Sequence, residues 1–243
     1  MRLDKYLADC GIGTRSEIKK MIRSGRIRVE GAVKPRPEMQ VEPETVRVLA
    51  DGEPVNYRKY IYLLLNKPKG YLSATWDARQ PTVLDLVPEE YLHFEPFPVG
   101  RLDIDTEGLC LLTNDGQLAH RLLSPNRHVP KTYAAEIDGR VTEEDAAAFE
   151  QGVVLDDGYL TKPAKLEILS AGEISEIQVT ITEGKFHQVK RMFEAVGKKV
   201  VALKRISMGE LKLNPAMRTG EIRELEPFEL ALLEPESAEK SSE

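Results

Sequence analysis

The stretch of sequence that organises the fold reads Gly100-Arg-Leu-Asp-Ile-Asp-Thr-Glu-Gly108 and leads directly into the apolar run Leu109-Cys-Leu-Leu-Thr113. The apolar run predicts a buried strand, and the glycines around the charged residues indicate a loop before it. Asp103 therefore lies in a loop that a rigid scaffold can hold. A capping or turn carboxylate is the commoner role for such a residue. Asp105, two residues on, adds the alternative of a two-carboxylate hydrolase.

The sequence around this stretch predicts further short strands and helices. Ile61-Tyr-Leu-Leu-Leu65 is an apolar strand that must stop at Asn66-Lys-Pro-Lys-Gly70, because Pro68 has no amide donor and Gly70 permits a positive φ. Further strands are predicted over 132–137, 176–182 and 200–206, and helices after Asn114-Asp-Gly116, from Thr142 to Gly152 and from His187 to Val196. This order is too mixed for a doubly wound sheet, so we predict an α+β fold.

The first forty residues predict a small helical module with a hairpin. One helix covers 2–10, and Thr14 with Glu17 forms a capping-box signature for a second helix that runs to Ser24. A strand over 26–29 and a turn at Glu30-Gly31 predict a partner strand that begins at Ala32. The basic residues of this module suit phosphate contacts, although a solvated charged face explains them equally well. They are Arg2, Lys5, Arg15, Lys19, Lys20, Arg23, Arg26 and Arg28.

The distribution of charge says more than its total. A formal net charge of −6 taken alone argues against a nucleic-acid partner. Divided by region, residues 1–36 and 181–220 each carry a net charge of +6, the body from 37 to 180 carries −12, and residues 221–243 carry −6. Two basic blocks therefore lie on either side of an acidic body, and the acidic residues 234–243 predict a disordered tail.

The second basic block contains a helix with two different faces. In Glu183-Gly-Lys-Phe-His-Gln-Val-Lys-Arg-Met-Phe193, helical spacing places Val189, Met192 and Phe193 on an apolar face. His187, Lys190 and Arg191 share the opposite face. Cations near a helix start suit anion binding or a carboxylate partner better than they suit helix stability, although a solvated basic face remains an alternative. By its strand pattern alone, Tyr133 in Lys131-Thr-Tyr133 is a core aromatic residue.

Composition and segment lengths limit the class of protein. The Pro-rich, acidic residues 35–54 and the segment 56–59 look like a link, so we expect an amino-terminal module with linker over 1–57, a main domain over 58–233 and a tail over 234–243. The apolar runs are too short to cross a membrane, and the first residues do not begin a signal peptide, so we expect a cytoplasmic protein without a membrane partner. Cys10 and Cys110 have neither zinc-site nor disulfide spacing.

Taken together, the motifs resemble the bacterial ribosomal RNA pseudouridine synthase family, specifically its small-subunit (16S) branch. The resemblance extends to about Pro227, and the basic module is similar to an RNA-binding module first seen in a small-subunit ribosomal protein. The branch is indicated by Asp103-Ile-Asp-Thr106 and Leu160-Thr-Lys-Pro-Ala164. The motifs occur in this order: Asn66-Lys-Pro-Lys-Gly70, Gly100 to Gly108 with Leu111-Leu-Thr-Asn-Asp-Gly116, Lys131-Thr-Tyr133, Leu160 to Ala164 and Glu183 to Phe193.

The resemblance implies a fold, a reaction and roles for four residues. The fold is a mixed, mainly antiparallel sheet flanked by helices, and the reaction isomerises a uridine to pseudouridine without cofactor or metal. Asp103 matches the catalytic aspartate, which attacks the sugar or the base or takes a sugar proton. Lys190 matches the cation that pairs with it, where many relatives have Arg. Tyr133 matches a tyrosine that stacks on the target base, and Arg101 a residue that holds the flipped nucleotide.

The same resemblance implies an RNA partner. We expect a monomer that acts on 16S ribosomal RNA, either free or within a partly assembled small subunit, with His187 and Arg191 joining the basic module in RNA binding. Two alternatives remain at this stage. One is a synthase that acts on 23S ribosomal RNA, and the other is a non-enzymatic RNA-binding assembly factor. The factor would not need Asp103, Tyr133 and Lys190 to meet in one cleft.

Overall fold

The computed structural model of the chain describes residues 1–124 and 126–233. The predicted disordered tail, 234–243, lies outside these ranges. The backbone forms two compact units. One comprises Met1–Ile61 and Val87–Pro96, and the other comprises Tyr62–Leu86 and the described residues from Phe97 onward. Each unit has a hydrophobic core of its own.

Short helices and a small sheet form the amino-terminal unit. Its elements are α1 (Leu3–Asp9), α2 (Arg15–Arg23), β1 (Ile27–Val29), β2 (Val48–Ala50), β3 (Glu53–Pro54) and α3 (Glu89–Leu92). The capping box before α2 is confirmed, since Thr14 Oγ1 accepts from the Glu17 amide at 3.3 Å and Glu17 Oε2 accepts from the Thr14 amide at 2.8 Å. The buried stripe of α2 packs against Leu3, Tyr6 and Leu7 of α1.

The predicted partner of β1 is wrong. β1 pairs with β2, Ile27 opposite Ala50, and not with a strand that starts at Ala32, which forms only an isolated bridge to Val29. Residues 35–54 are therefore more than a link, because they supply two of the three strands. The turn between β2 and β3 is Asp51-Gly52, both with positive φ. Asp-Gly between short strands is a hairpin signal that the surrounding prolines and charges obscured.

A nine-stranded sheet flanked by helices forms the larger unit. In its described residues the strands follow the order β12-β4-β6-β10-β7-β9-β8, with β5 beside β6 and β11 beside β10, and every pairing is antiparallel except that of β6 with β10. The sheet is therefore mixed and mainly antiparallel, as predicted. The strands are β4 (Tyr62–Lys67), β5 (Phe97–Pro98), β6 (Glu107–Thr113), β7 (Lys131–Asp138), β8 (Lys165–Ser170), β9 (Ile174–Ile181), β10 (Lys199–Met208), β11 (Leu211–Lys212) and β12 (Ile222–Glu224).

The helices of this unit are α4 (Gly116–Leu123), α5 (Glu143–Gln151), α6 (Gln188–Ala195) and α7 (Pro227–Ala231), and Val83–Leu86 forms a 3-10 turn. Three of these helices, α4 to α6, lie close to their predicted positions, and the short α7 was not predicted. Asp115 caps α4 by accepting from the amides of Gln117 and Leu118 at 3.0 Å. In the described ranges, every helix is too short or too polar to cross a membrane.

Residues 221–233 are rich in acidic residues, and they form part of the fold. β12 pairs with β4, and Arg223 binds Glu229 of α7 through hydrogen bonds of 2.7 and 2.6 Å. The strands β4 and β6 are buried along nearly their whole length. Such burial on both faces explains their continuous apolar runs. The end of β4 and the start of β6 carry the loops of the site.

Candidate active site

The loop between β5 and β6 carries Asp103, and its carboxylate meets two groups from the start of α6. Lys190 Nζ lies 3.2 Å from Asp103 Oδ2, and His187 Nε2 lies 3.6 Å from Asp103 Oδ1. The side chain of Asp103 is 26% exposed, so it is accessible but partly screened from water. The structure thus brings together Asp103 and Lys190, which are distant in sequence, as the resemblance implied.

Lys190 serves two carboxylates, a relationship that was not predicted. Its Nζ lies 2.6 Å from Asp105 Oδ1, closer than to Asp103. Desolvation lowers the pKa of Lys190, but hydrogen bonds to Asp105 and Asp103 outweigh it and raise that pKa above its usual value. Desolvation raises the pKa of Asp105, and the bond and charge of Lys190 outweigh it, so this pKa is lowered. Lys190 therefore stays cationic near neutral pH, and Asp105, 62% exposed, shares its charge.

Lys67 holds the loop that carries Asp103 through the backbone carbonyls of that loop. Its fully buried ammonium group donates to the backbone carbonyls of Asp103 at 3.1 Å and Thr106 at 2.9 Å, and more weakly to that of Ile104 at 3.4 Å. Burial lowers the pKa of Lys67, and nearby acidic groups, including Asp105 and Asp103, oppose that shift. The sequence contained one sign of this role. A lysine ends a strand that is otherwise buried, where a charge needs partners.

Tyr133 and Arg101 line the same pocket as Asp103. Tyr133 is 8% exposed on β7 and is paired in register with Arg205 of β10. The neighbouring pair, Arg205 with Gly108, brings β10 beside β6 so closely that a Cβ at residue 108 would lie 2.2 Å from the Arg205 carbonyl oxygen. Arg101 is exposed at the pocket, and in the described part of the chain it has no ion-pair partner. Its guanidinium is available to a phosphate.

A polar network holds the turn before α6. Glu183 accepts hydrogen bonds from the Tyr159 hydroxyl at 2.8 Å and from Gln188 Nε2 at 2.6 Å. Gln188 Oε1 in turn accepts from the amide of Lys185 at 2.8 Å. His187 adopts the left-handed conformation, with φ of 50°. A non-glycine residue in this region is strained and needs such support.

The predicted RNA-binding residues fall into two groups. Some have carboxylate partners: Arg2 binds Asp4, Lys5 binds Asp9, Arg26 binds Asp51, His187 lies 3.6 Å from Asp103, and Arg191 binds Asp156 and Asp157. Others are exposed and have no ion-pair partner within the described residues. These are Arg15, Lys19, Lys20, Arg23 and Arg28. The ion pairs of the first group were not predicted, because only the folded structure shows which carboxylate lies beside each cation.

The arrangement defines a class of protein. A carboxylate held beside an ammonium group, in a pocket with an aromatic ring and a free guanidinium, suits chemistry on a flat, charged ligand such as a nucleotide. The separate unit with exposed cations on α2 suits a polyanion. Together they describe an enzyme that modifies RNA.

Comparisons with known proteins agree with this class. The family model for RNA pseudouridylate synthase matches residues 61–195, and the S4 domain model matches residues 1–46. A Bacillus subtilis (strain 168) protein named "Uncharacterized RNA pseudouridine synthase YtzG" is 54% identical over 96% of this chain and 98% of its own length. "Ribosomal small subunit pseudouridine synthase A" of Escherichia coli (strain K12) is 40% identical over 95% of this chain and 99% of its own.

A comparison with a solved structure indicates the same family. The "Crystal structure of pseudouridylate synthase" is 37% identical and matches with a TM-score of 0.67 over 96% of this chain and 99% of that one. The chain belongs to the RNA pseudouridine synthase family, with an S4 domain at its amino terminus. The resemblance is confirmed, and the protein is an isomerase. This excludes the non-enzymatic factor and the two-carboxylate hydrolase.

Proposed function

We propose that this enzyme isomerises a uridine of 16S ribosomal RNA to pseudouridine, with Asp103 as the catalytic residue. The observation that carries the proposal is the 3.2 Å ion pair between Lys190 Nζ and Asp103 Oδ2 beside the pocket that Tyr133 and Arg101 line. The choice of 16S rests on the name of the relatives with which the chain shares 40% identity over nearly its full length.

The chemistry needs an ionised carboxylate in a site that excludes water. In the isomerisation the bond from N1 to C1′ breaks, the bond from C5 to C1′ forms, C5 loses a proton and N1 gains one. There is no net oxidation, so no redox cofactor is required. Asp103 acts whether it attacks the sugar, attacks the base or takes a sugar proton, and each route requires its anionic form. A uracil bound over Asp103 removes water from the carboxylate and disfavours its anionic form. The positive charge of Lys190 offsets this loss of hydration.

Each other residue supports this step through a contact of its own. Tyr133 offers a buried ring against which the uracil stacks. The guanidinium of Arg101 holds a phosphate of the nucleotide that has left the RNA stack. Cations of the amino-terminal unit, together with His187 and Arg191 near the pocket, bind further RNA. The enzyme acts as a monomer, and a cytoplasmic location follows from the substrate, because bacterial ribosomes assemble there.

The test compares two conservative changes at neighbouring carboxylates. Unmodified 16S and 23S ribosomal RNA, and a partly assembled small subunit, are incubated with wild type, Asp103→Asn and Asp105→Asn, and pseudouridine is mapped chemically. We expect modification at one position of 16S ribosomal RNA by wild type, a loss of at least about 1,000-fold for Asp103→Asn, and a loss below about 10-fold for Asp105→Asn.

Each of the other outcomes of this experiment contradicts one part of the proposal. Equal activity of wild type and Asp103→Asn would remove Asp103 from the catalytic role. Equal, severe losses in both variants would give the role to the carboxylate pair. Modification of 23S ribosomal RNA alone would overturn the choice of substrate and leave the enzyme class unchanged.

A further inference from the structure

Phe186 is a large apolar side chain that the fold leaves in solvent. It is 72% exposed, although it lies in the turn that positions α6. Single exposed apolar residues are common on protein surfaces, so exposure alone assigns no role. Phe186 differs because of what lies next to it.

The ring of Phe186 stacks on the ring of His187. Their centroids are 3.7 Å apart and the planes differ by 19°, so the two rings are stacked nearly parallel. His187 in turn reaches to 3.6 Å from the Asp103 carboxylate. The open face of Phe186 therefore belongs to a stack that begins at the catalytic residue.

The backbone of this turn is strained in a way that fixes the stack. His187 has a left-handed φ of 50°, and its carbonyl accepts the first bond of α6 from the Arg191 amide at 2.9 Å. A hydrogen bond from Gln188 Nε2 to Glu183 Oε1 also holds this turn. Strain of this kind persists where the surroundings over-determine the conformation and clusters at ligand sites. Phe186 lies between Lys185 and His187, which both line the pocket, and its exposed ring gains little from burial.

RNA chemistry supplies a ligand for such a ring. A target uridine must leave its stack before an enzyme reaches its glycosidic bond, and its neighbours then lose a stacking partner. An aromatic side chain accepts any base on its face, without regard to sequence. Lys185 beside it, whose Nζ lies 4.4 Å from the Tyr159 ring centre, adds positive charge near the RNA backbone.

We propose that Phe186, backed by His187, is a stacking platform for an RNA base that neighbours the target uridine. This inference rests on the proposed function, since it places the platform at the edge of the pocket in which the flipped uridine reacts. Phe186 acts by positioning the RNA and takes no part in the bond changes. Phe186 lies within the motif from Glu183 to Phe193, where residue spacing alone assigns it no role.

A fluorescent probe at this position tests the stacking directly. Trp76 is the single tryptophan of the chain, so Trp76→Phe gives a dark background. Phe186→Trp is added to it in one variant and Phe228→Trp in a matched control, because Phe228, on α7, is 69% exposed. Both are titrated with an unmodified 16S ribosomal RNA transcript. Stacking on a base quenches tryptophan, so we expect emission to fall at least about 2-fold for the F186W variant, with little change for F228W.

Activity on the same RNA gives the second readout. Replacing the ring in Phe186→Leu should raise KM by about 5- to 150-fold, the range that corresponds to loss of one stacked base, with a much smaller change in kcat. Phe186→Tyr keeps the ring and should stay close to wild type, as should Phe228→Leu. A fall in kcat at constant KM, without quenching in F186W, would mean that Phe186 only supports the turn and would overturn the proposal.

The two proposals fail in different ways. Suppose that wild type forms pseudouridine, that F186L has the same kinetics and that RNA leaves the F186W emission unchanged. The stacking proposal is then wrong and the proposed function stands. If wild type forms no pseudouridine in this RNA but F186W is quenched and F228W is not, the platform stands as an RNA contact and the proposed function is wrong.

Discussion

The ammonium group of Lys67 lies 3.1 Å from the backbone carbonyl oxygen of Asp103, although Lys67 ends β4 and Asp103 lies in the loop before β6. It also reaches the Thr106 carbonyl, and the Gly70 amide donates to the Ile104 carbonyl at 2.7 Å. The loop that carries Asp103 is thus held by its backbone, and the Asp103 side chain is left to the pocket. Under the proposed function, Lys67 is a positioning residue, because it acts on the reaction through this loop.

Replacing Lys67 with Met should therefore damage both stability and activity. The change leaves the buried loop carbonyls without their charged donor, and a buried unpaired polar group costs about 1–3 kcal/mol. We expect the free energy of unfolding in urea to fall by at least about 2 kcal/mol. A small displacement of Asp103 should lower kcat by about 100-fold. Lys69→Met is the control, because Lys69 is half exposed and makes only a 3.7 Å pair with Glu107. Equal effects of the two changes would contradict the role of Lys67.

Lys190 supplies charge to the site, and its replacement separates charge from geometry. Lys190→Met leaves Asp103 and Asp105 without their shared cation. We expect kcat to fall at least about 100-fold, because the positive charge beside Asp103 is lost. Lys190→Arg keeps the charge and should retain activity within about 10-fold. Single-turnover rates of the three proteins measure both effects. A Lys190→Arg protein as slow as Lys190→Met would exclude this electrostatic role.

The sequence predicted the features that local interactions decide. The capping box of Thr14 and Glu17, the buried strand that contains Leu109 and the helix after Asp115 each depend on residues within a few positions, and all three are observed. β12 could not be found this way, because it exists only as a partner of β4, far earlier in the chain.

The same limit applies to the site. The ion pair of Asp103 with Lys190 followed from the ordered motifs of a family, and spacing alone would not have joined residues so distant in sequence. Asp105, predicted only as a possible partner of Asp103 in hydrolysis, is held by Lys190. The basic face of its helix and the family resemblance predicted an RNA contact for Arg191, but neither indicated that Asp156 and Asp157 bind its guanidinium. Partners across the fold decide how available a charge is.

Lys131 should make stability rise with pH over an alkaline range. Burial, with a smaller contribution from the charge of Arg205, lowers its pKa to about 8, whereas the unfolded value is about 10.4. Between these values the unfolded chain holds a proton that the folded chain has lost, so a higher pH favours the folded chain. The rise should reach about 2 kcal/mol.

Urea unfolding at pH 7.5 and 9.5 measures this rise. The difference between the two pH values should be smaller in Lys131→Met than in wild type, because that variant has no titrating group at this position. Lys165→Met is the control, since Lys165 is 79% exposed on β8, and it should keep the wild-type difference. A Lys131→Met protein with the full wild-type difference would show that another group is responsible.

The exposed cations of α2 should determine how salt affects RNA binding. Lys19, Lys20 and Arg23 are exposed and have no ion-pair partner in the described ranges, whereas Arg2, Lys5 and Arg26 are each bound to a carboxylate. Changing the first three to Gln should lower the slope of log affinity against log salt by about 2–3, since each phosphate contact contributes about 0.7–0.9. Changing the second three to Gln alters the net charge equally but should lower the slope by less than about 1, because these cations are already neutralised. Filter binding to 16S ribosomal RNA over a series of salt concentrations compares the two triple variants. Equal slopes in both would mean that total charge, rather than the free face of α2, determines binding.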